Sequence, residues 1–292
     1  MIPSLPRPLW LRIATVLFVA AFLVFLFLPL VTVAAFAFND APYPAPPWQG
    51  FTLDWFTGNE AKERTGLFKD EELMGSILTS LLVAAWATLL SVVVGTTNAF
   101  LMERMRFRGQ GLLSLLMLVP LVIPGVILGI SILAFASRVA DLMGDLFGWE
   151  AEFLRPGLPL VVLGQVSYLI AIATLTISAR LKRFDRTLEE AAYNLGASRP
   201  AVLATITLPY LRPALIGSAA IVFLMSFENF NTTLMLVGAD SPLTVMMYGR
   251  MREGATPVLN AVSLFLMLAS ALLALTLLRR SADGDTPGKP AS

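Results

Sequence analysis

The stretch RLKRFDRTLEEAAYNLGASRPAVLATITLPYLRP, residues Arg180–Pro213, separates two long apolar runs and keeps the chain polar for more than thirty residues. It reads as two short helices. Thr187, followed three residues later by Glu190, has the form of a capping box, in which hydroxyl and carboxylate satisfy free amides at a helix start. Leu188, Ala191, Ala192 and Leu195 then recur at i, i+3, i+4 and i+7 and share one face. Gly196 suits a left-handed stop. Ser198 can cap a second helix with Pro200 in its first turn, and Pro209 and Pro213 end or bend that helix before the next apolar run. An apolar stripe two turns long and half alanine buries little by itself. It suits a groove on a partner protein that a helix backbone can approach closely; on periodicity alone, the membrane surface or the chain's own apolar helices suit it equally.

Outward from that stretch, 57% of the 292 residues are hydrophobic and 14% charged, and mean hydropathy is +0.75, which excludes an ordinary water-soluble fold. Crossing about 30 Å of hydrocarbon takes roughly 20 apolar residues in a helix, because only internal hydrogen bonds satisfy the backbone there. Six segments qualify, near 12–38, 74–101, 111–137, 158–179, 214–237 and 258–278. The expectation is an all-α polytopic membrane protein with one transmembrane domain over 12–280 and the polar loop 180–213 within it. The first run follows Arg7 and Arg12 but is too long for a signal-peptide core, so it reads as retained. In the third, Pro120, Pro124, Gly125 and Gly129 invite a bend and close helix contact.

Basic residues flanking the spans set the orientation. With segment 1–11 cytoplasmic, fourteen of the 21 Lys and Arg fall inside and thirteen of the 20 Asp and Glu fall outside, so both termini are expected in the cytoplasm. The long outside segment 39–72 opens on Pro42, Pro44, Pro46 and Pro47 and carries Trp48, Trp55 and Phe56, which suits either a short element lying on the outer face or a loosely ordered loop. The tail 281–292, rich in Gly, Pro, Ser and Asp, reads as disordered. A net charge of +1 gives no argument for nucleic acid. The absence of Cys and His removes disulfides, thiolate nucleophiles, imidazole bases and Cys- or His-held metals.

Glu228 is the only formally charged side chain well inside a span, at an insertion cost of about 2.5–3.5 kcal/mol. Asn229, Asn231, Thr232 and Thr233 follow it and make one polar section in an apolar helix. That section either lines a translocation path, with Glu228 compensating a passing cation transiently, or holds Glu228 against a neighbouring helix as structural glue. Tyr168 and Gln165 in the fourth span, and Met246, Met247, Met251 and Tyr248, could face the same path.

Glu190-Ala191-Ala192, three residues, Gly196, nine residues, then Ile206-Thr207-Leu208-Pro209 match at every fixed position the EAA-x3-G-x9-I-x-L-P loop of inner-membrane permease subunits of bacterial ABC importers, and the chain resembles that family over nearly its whole length. The resemblance implies the type I (MetI-like) permease fold. It also implies that the loop is a coupling helix docking on a cytoplasmic ATPase subunit, with Leu188, Glu190, Ala191, Ala192, Leu195, Gly196, Ile206, Leu208 and Pro209 as the coupling residues. Phe38-Asn39, Trp48-Gln49-Gly50-Phe51-Thr52, Arg106-Phe107-Arg108-Gly109, Arg180-Leu181-Lys182 with Phe184-Asp185, and Pro257 with Asn260-Ala261 look like the polyamine (spermidine/putrescine) branch. One departure lies at Ser226-Phe227-Glu228-Asn229-Phe230, where polyamine permeases tend to carry two acidic residues and this chain carries one. The implied solute is a polyamine or related small cation, with ferric iron, thiamine or an aminophosphonate as alternatives within the family, and Glu228, Asn229, Asn231 and Tyr168 are the expected path residues.

The chain has no G-x-x-x-x-G-K-[ST] phosphate cradle; its only Gly-Lys pair, Gly288-Lys289, precedes Pro290. ATP and its magnesium are therefore expected on a partner, and no covalent chemistry on this chain. The resemblance implies a cytoplasmic ATPase dimer, a second homologous permease and a periplasmic solute-binding protein, assembled in the bacterial inner membrane. Two other classes compete. An ion-coupled secondary carrier would show inverted-repeat halves and several intramembrane charges, and a membrane scaffold would dock a soluble partner without transport.

Overall fold

The computed structural model describes residues 8–254 and 256–284, with side chains as far as Leu272. The helices are Leu9–Phe36 (α1), Asp54–Thr57 (α2), Glu71–Arg104 (α3), Gln110–Val122 (α4), Gly125–Phe147 (α5), Leu158–Leu181 (α6), Thr187–Asn194 (α7), Arg199–Val202 (α8), Leu208–Phe227 (α9), Asn231–Leu236 (α10), Leu243–Glu253 (α11) and Val258–Gly284 (α12). Among the described residues, extended pairing is limited to the isolated bridges Asn39–Phe51 and Asn59–Arg64. Among the described residues, five helical runs are long and apolar enough to cross a membrane: α1, α3, α5, α6 and the run Arg199–Phe227. The sixth expected span coincides with α12, whose described apolar part is Val258–Leu272.

Two expected spans are not single helices. In 111–137 the chain leaves the helical path at Ile123 and Pro124, with ψ of 130° and 132°, and restarts at Gly125. Pro124 has no amide to donate and its ring keeps Ile123 out of the helical region. In 214–237, α9 stops at Phe227 and α10 begins at Asn231. Conversely, Pro209 and Pro213 end nothing. The chain stays helical from Arg199 to Phe227, with Leu203–Thr207 wound as a π turn, which absorbs the bond that Pro209 denies an α turn. α12 continues past Ser281 to Gly284, so the start of the expected disordered tail is helical. Residues 285–292 and 1–7 lie outside the described residues.

The chain divides into two compact units, one built on Glu72–Gly249 and the other on the residues up to Glu71 with Arg250–Leu273. In the first, α6 is the hub. Its Val166, Leu169 and Ala173 pack with Ala87 of α3, Leu128 of α5 and Val222 of α9; Leu160 and Val161 meet Val83, Ala136 and Leu236; Ile177 and Leu181 meet Ala99, Phe184 and Leu211. Small residues allow this. A Cβ on Gly95 would stand 2.6 Å from Ala173 Cβ and 3.0 Å from the Thr174 amide, so α3 and α6 approach almost backbone to backbone.

In the second unit, α1 buries none of its side chains, which suits lipid as its solvent. The segment after it is ordered rather than loose. Asn39 Oδ1 accepts the Gln49 amide at 2.8 Å, Thr52 donates its amide to Phe38 O at 2.8 Å, and Trp55 Nε1 donates to Asn39 O at 2.8 Å. Arg64 lies over the Trp55 ring at 4.4 Å and pairs with Asp40 and Asp54. Hydrogen bonds from Lys62 and Arg64 hold the Asp40 carboxyl below its ordinary value. Arg250 closes the unit by gripping Asp70 with both nitrogens, at 2.5 and 2.9 Å.

The α3–α6 approach gives a paired test. Gly95→Ala is expected to lower stability by about 1–3 kcal/mol through overpacking, measured by denaturant unfolding in detergent. Gly75→Ala, in the same helix with nothing within 4 Å of the added Cβ, is expected to be neutral or to gain up to about 1 kcal/mol.

Candidate functional site

The loop motif folds as two helices, and its details differ from the sequence reading at the first turn. The start of α7 is capped by Asp185, whose Oδ1 accepts the Thr187 amide at 3.0 Å and the Thr187 hydroxyl at 2.8 Å. Thr187 thus donates its hydroxyl and does not form the expected box with Glu190. These two bonds hold the Asp185 carboxyl below its ordinary value, so the cap is intact above that value and fails as pH falls through the lowered one. Gly196 ends the helix as expected, at φ +88°. Its amide donates to Tyr193 O at 2.9 Å and that of Ala197 to Ala192 O at 3.0 Å, the bond pair of a Schellman stop. Pro200 occupies the first turn of α8 as expected, whereas Ser198 makes no side-chain cap bond.

Within α7 the apolar stripe is uncovered. Leu188 is 52% and Leu195 89% exposed, and Glu190, Ala191 and Gly196 are exposed with them. The helix rests on its own chain along one edge, through half-buried Ala192 and Glu189. Of the remaining motif residues, Ile206 packs with the Leu181, Phe184 and Leu211 cluster, Leu208 is 36% exposed, and Pro209 sits in the first turn of α9. Glu189, Arg104 and Thr207 carry the strongest polar contacts of the region, yet none of them stands out in the sequence.

The second cluster forms where α9 breaks. At 228–230 the chain must replace backbone bonds, and side chains supply them. Asn229 Oδ1 accepts the Thr233 amide at 3.1 Å and the Thr233 hydroxyl at 2.9 Å, and Thr244 donates to Asn229 O at 3.0 Å. The donors form one directed chain: Ser226 to Gln165 Oε1, Gln165 Nε2 to Thr233 at 3.0 Å, Thr233 to Asn229, and Asn229 Nδ2 to Tyr168 OH at 2.9 Å. Gln165 is 1% exposed and Tyr168 9%. Of the four expected path residues, the structure therefore ties Asn229 and Tyr168 to each other and leaves Glu228 and Asn231 exposed.

The two helix breaks meet. Thr232 of α10 donates to Gly125 O at 3.3 Å, and a Cβ on Gly125 would lie 3.0 Å from Asn231 Cβ. Gly129, one turn on, approaches Met235 so closely that a Cβ would stand 2.8 Å from Met235 Cβ. The Gly125–Gly129 pair is thus the α5 surface that receives α10. Glu228 and Asn231 flank a mid-span interruption built from both breaks.

A helical bundle with several helices long and apolar enough to cross a bilayer defines a multi-pass membrane protein. Residues 87–282 match the family described as binding-protein-dependent transport system inner membrane component, and the chain belongs to that family. It is 29% identical over 245 residues to the putrescine transport system permease protein PotI of Escherichia coli (strain K12), covering 83% of this chain and 82% of that one. To the spermidine/putrescine transport system permease protein PotC of Haemophilus influenzae it is 27% identical over 250 residues, covering 85% and 89%. It shares its fold with a chain of a bacterial alginate ABC transporter solved in complex with an alginate pentasaccharide-bound periplasmic protein, at TM-score 0.75, 20% identity and 96% coverage of each chain. The protein is an ABC importer permease similar to the polyamine permeases.

If the directed chain holds the α9 break, Gln165→Leu leaves the buried Ser226 hydroxyl without its acceptor and removes the donor to Thr233, which keeps only its bonds to Asn229. It is expected to cost about 1–2 kcal/mol in a detergent unfolding titration. A loss under about 0.3 kcal/mol would show that the network does not support the break.

Proposed function

We propose that this chain forms one half of the solute pathway of an ATP-driven importer, and that α7 is the helix through which a separate cytoplasmic ATPase subunit moves it. The observation that carries the reading is the uncovered stripe of α7. A helix capped at both ends, anchored along one edge and bare at Leu188, Ala191 and Leu195 is built to receive another protein. The Lys and Arg distribution supports a cytoplasmic side for this face and both termini, and the family supports a bacterial inner membrane for the membrane domain. A second homologous permease completes the pathway, two ATPase copies bind ATP and magnesium, and a periplasmic binding protein delivers the solute.

For the solute we propose a polyamine or related small cation. The named relatives carry putrescine or spermidine in their names. The exposed carboxylate of Glu228 stands at the C-terminal end of α9, where the helix dipole is negative and adds to it. Asn231 offers a free amide across the break. One carboxylate, rather than two, suits a path that must release what it binds.

Two outcomes are expected in membrane vesicles carrying the assembled transporter. Leu195→Asp or Gly196→Asp releases the ATPase subunit on purification and abolishes uptake; retained association and uptake would refute the docking role. Glu228→Gln leaves assembly intact and lowers putrescine uptake by about tenfold, the order expected for losing one partly screened charge beside a cation. Unchanged uptake would remove Glu228 from the path. Uptake that persists after ATP depletion with ion gradients kept would favour the secondary carrier.

A further inference from the structure

Glu189 adjoins Glu190 in sequence but turns the other way. Its side chain is 16% exposed, and Arg104, at 17%, grips it with both nitrogens: Nη1 donates to Oε2 at 3.0 Å and Nη2 to Oε1 at 2.9 Å. Thr207, 1% exposed, donates its hydroxyl to Oε1 at 2.5 Å. Arg104 is the last residue of α3, and its guanidinium lies 5.2 Å from the Phe184 ring centroid. Thr207 closes the π turn that feeds α9. A single carboxylate therefore binds α7 to the end of one long helix and the start of another. Among the described residues, no other side chain of Thr187–Asn194 hydrogen-bonds a different helix; just before it, Arg186 donates to the Glu103 carbonyl of α3 at 2.7 Å.

We propose that Glu189 is the joint through which displacement of α7 reaches α3 and α9, a positioning residue for coupling rather than for docking. This rests on α7 being the ATPase-docking helix, as read above. Three physical features favour it. A two-pronged guanidinium–carboxylate pair resists rotation as well as separation, which a sliding alanine contact does not. The pair is largely out of water, so loss of one partner leaves the other charge uncompensated. The π turn beside it already departs from regular winding, which makes it the place where α9 yields first.

The test uses the whole transporter, with this permease carrying Asn231→Cys as a reporter in the path; the chain has no cysteine of its own. Labelling by a membrane-impermeant maleimide is timed with and without ATP and vanadate, and ATPase retention and hydrolysis are measured on the same preparations. Glu189→Gln is expected to keep the ATPase subunit and its hydrolysis rate while shrinking the ATP-dependent change in labelling by about tenfold. The reversed pair, Glu189→Arg with Arg104→Glu, is expected to recover most of it. Thr207→Val, which removes one bond of three, shows a smaller loss in the same direction. A response within about twofold of the parent in Glu189→Gln, or a reversed pair no better than Arg104→Glu alone, overturns the proposal. Should Glu189→Gln fail to assemble, an unchanged response in Thr207→Val overturns it instead. Leu195→Asp in the same series separates the two ideas. If it keeps the ATPase, the docking reading is wrong; if it loses the ATPase while Glu189→Gln responds normally, only the joint is wrong.

Discussion

At the depth of the hydrocarbon there is no water to take up a backbone amide or carbonyl, so a helix can be interrupted there only where side chains supply the missing bonds. The arrangement around α6 follows from that constraint. The break after Phe227 stands because Asn229 Oδ1 accepts the Thr233 amide and Thr244 donates to the Asn229 carbonyl, and because Gln165 and Tyr168 anchor the Thr233 and Asn229 side chains in turn. All donors in the chain from Ser226 to Tyr168 point the same way, so each bond polarises the next. The break before Gly125 needs less help, since Pro124 has no amide to satisfy, and it receives Thr232 from the other break. Two weak points in the bundle support one another.

This arrangement also sorts the polar residues by task. Asn229 spends its carbonyl oxygen on Thr233 and its amide on Tyr168, so a solute passing the break would meet neither without breaking the support. Glu228 and Asn231, on either side, carry no such duty. The second position of the Glu228-Asn229 pair is therefore committed to the support of the break rather than left open to a solute.

The sequence makes the spans legible because length and hydropathy alone decide whether a helix crosses a bilayer, and it makes the loop legible because seven fixed positions recur at set spacing. It reads the first break only as a bend invited by Pro124 and Gly125, and it leaves the one after Phe227 unread. Hydropathy scores 111–137 and 214–237 as continuous, and only the hydrogen-bond partners, 61 to 107 residues away, show that the chain can afford to stop. Local capping is ambiguous for a related reason. The Thr187–Glu190 spacing offers a capping box, and the helix instead uses the carboxylate of Asp185, two residues before Thr187. Glu189 is invisible because adjacent residues on a helix point about 100° apart, so two neighbouring glutamates can do unrelated work.

The shape of α7 bears on how force could pass through it in the proposed role. Its polar attachments gather at the N-terminal turn, in Arg186, which donates to Glu103 O at 2.7 Å, and Glu189, while the most exposed apolar side chain, Leu195, lies at the other end. At 1.5 Å per residue that separation is roughly 9 Å, a short lever with its grip at one end and its pivot at the other. The alanine edge by itself would let such a lever slide, because small apolar contacts have no preferred direction. An ion pair sheltered from solvent is little weakened by salt, and its two bonds fix an angle. A push at Leu195 is then taken up as rotation about Glu189 and delivered to Arg104, at the end of α3, and to Thr207, from which α9 runs to its break after Phe227.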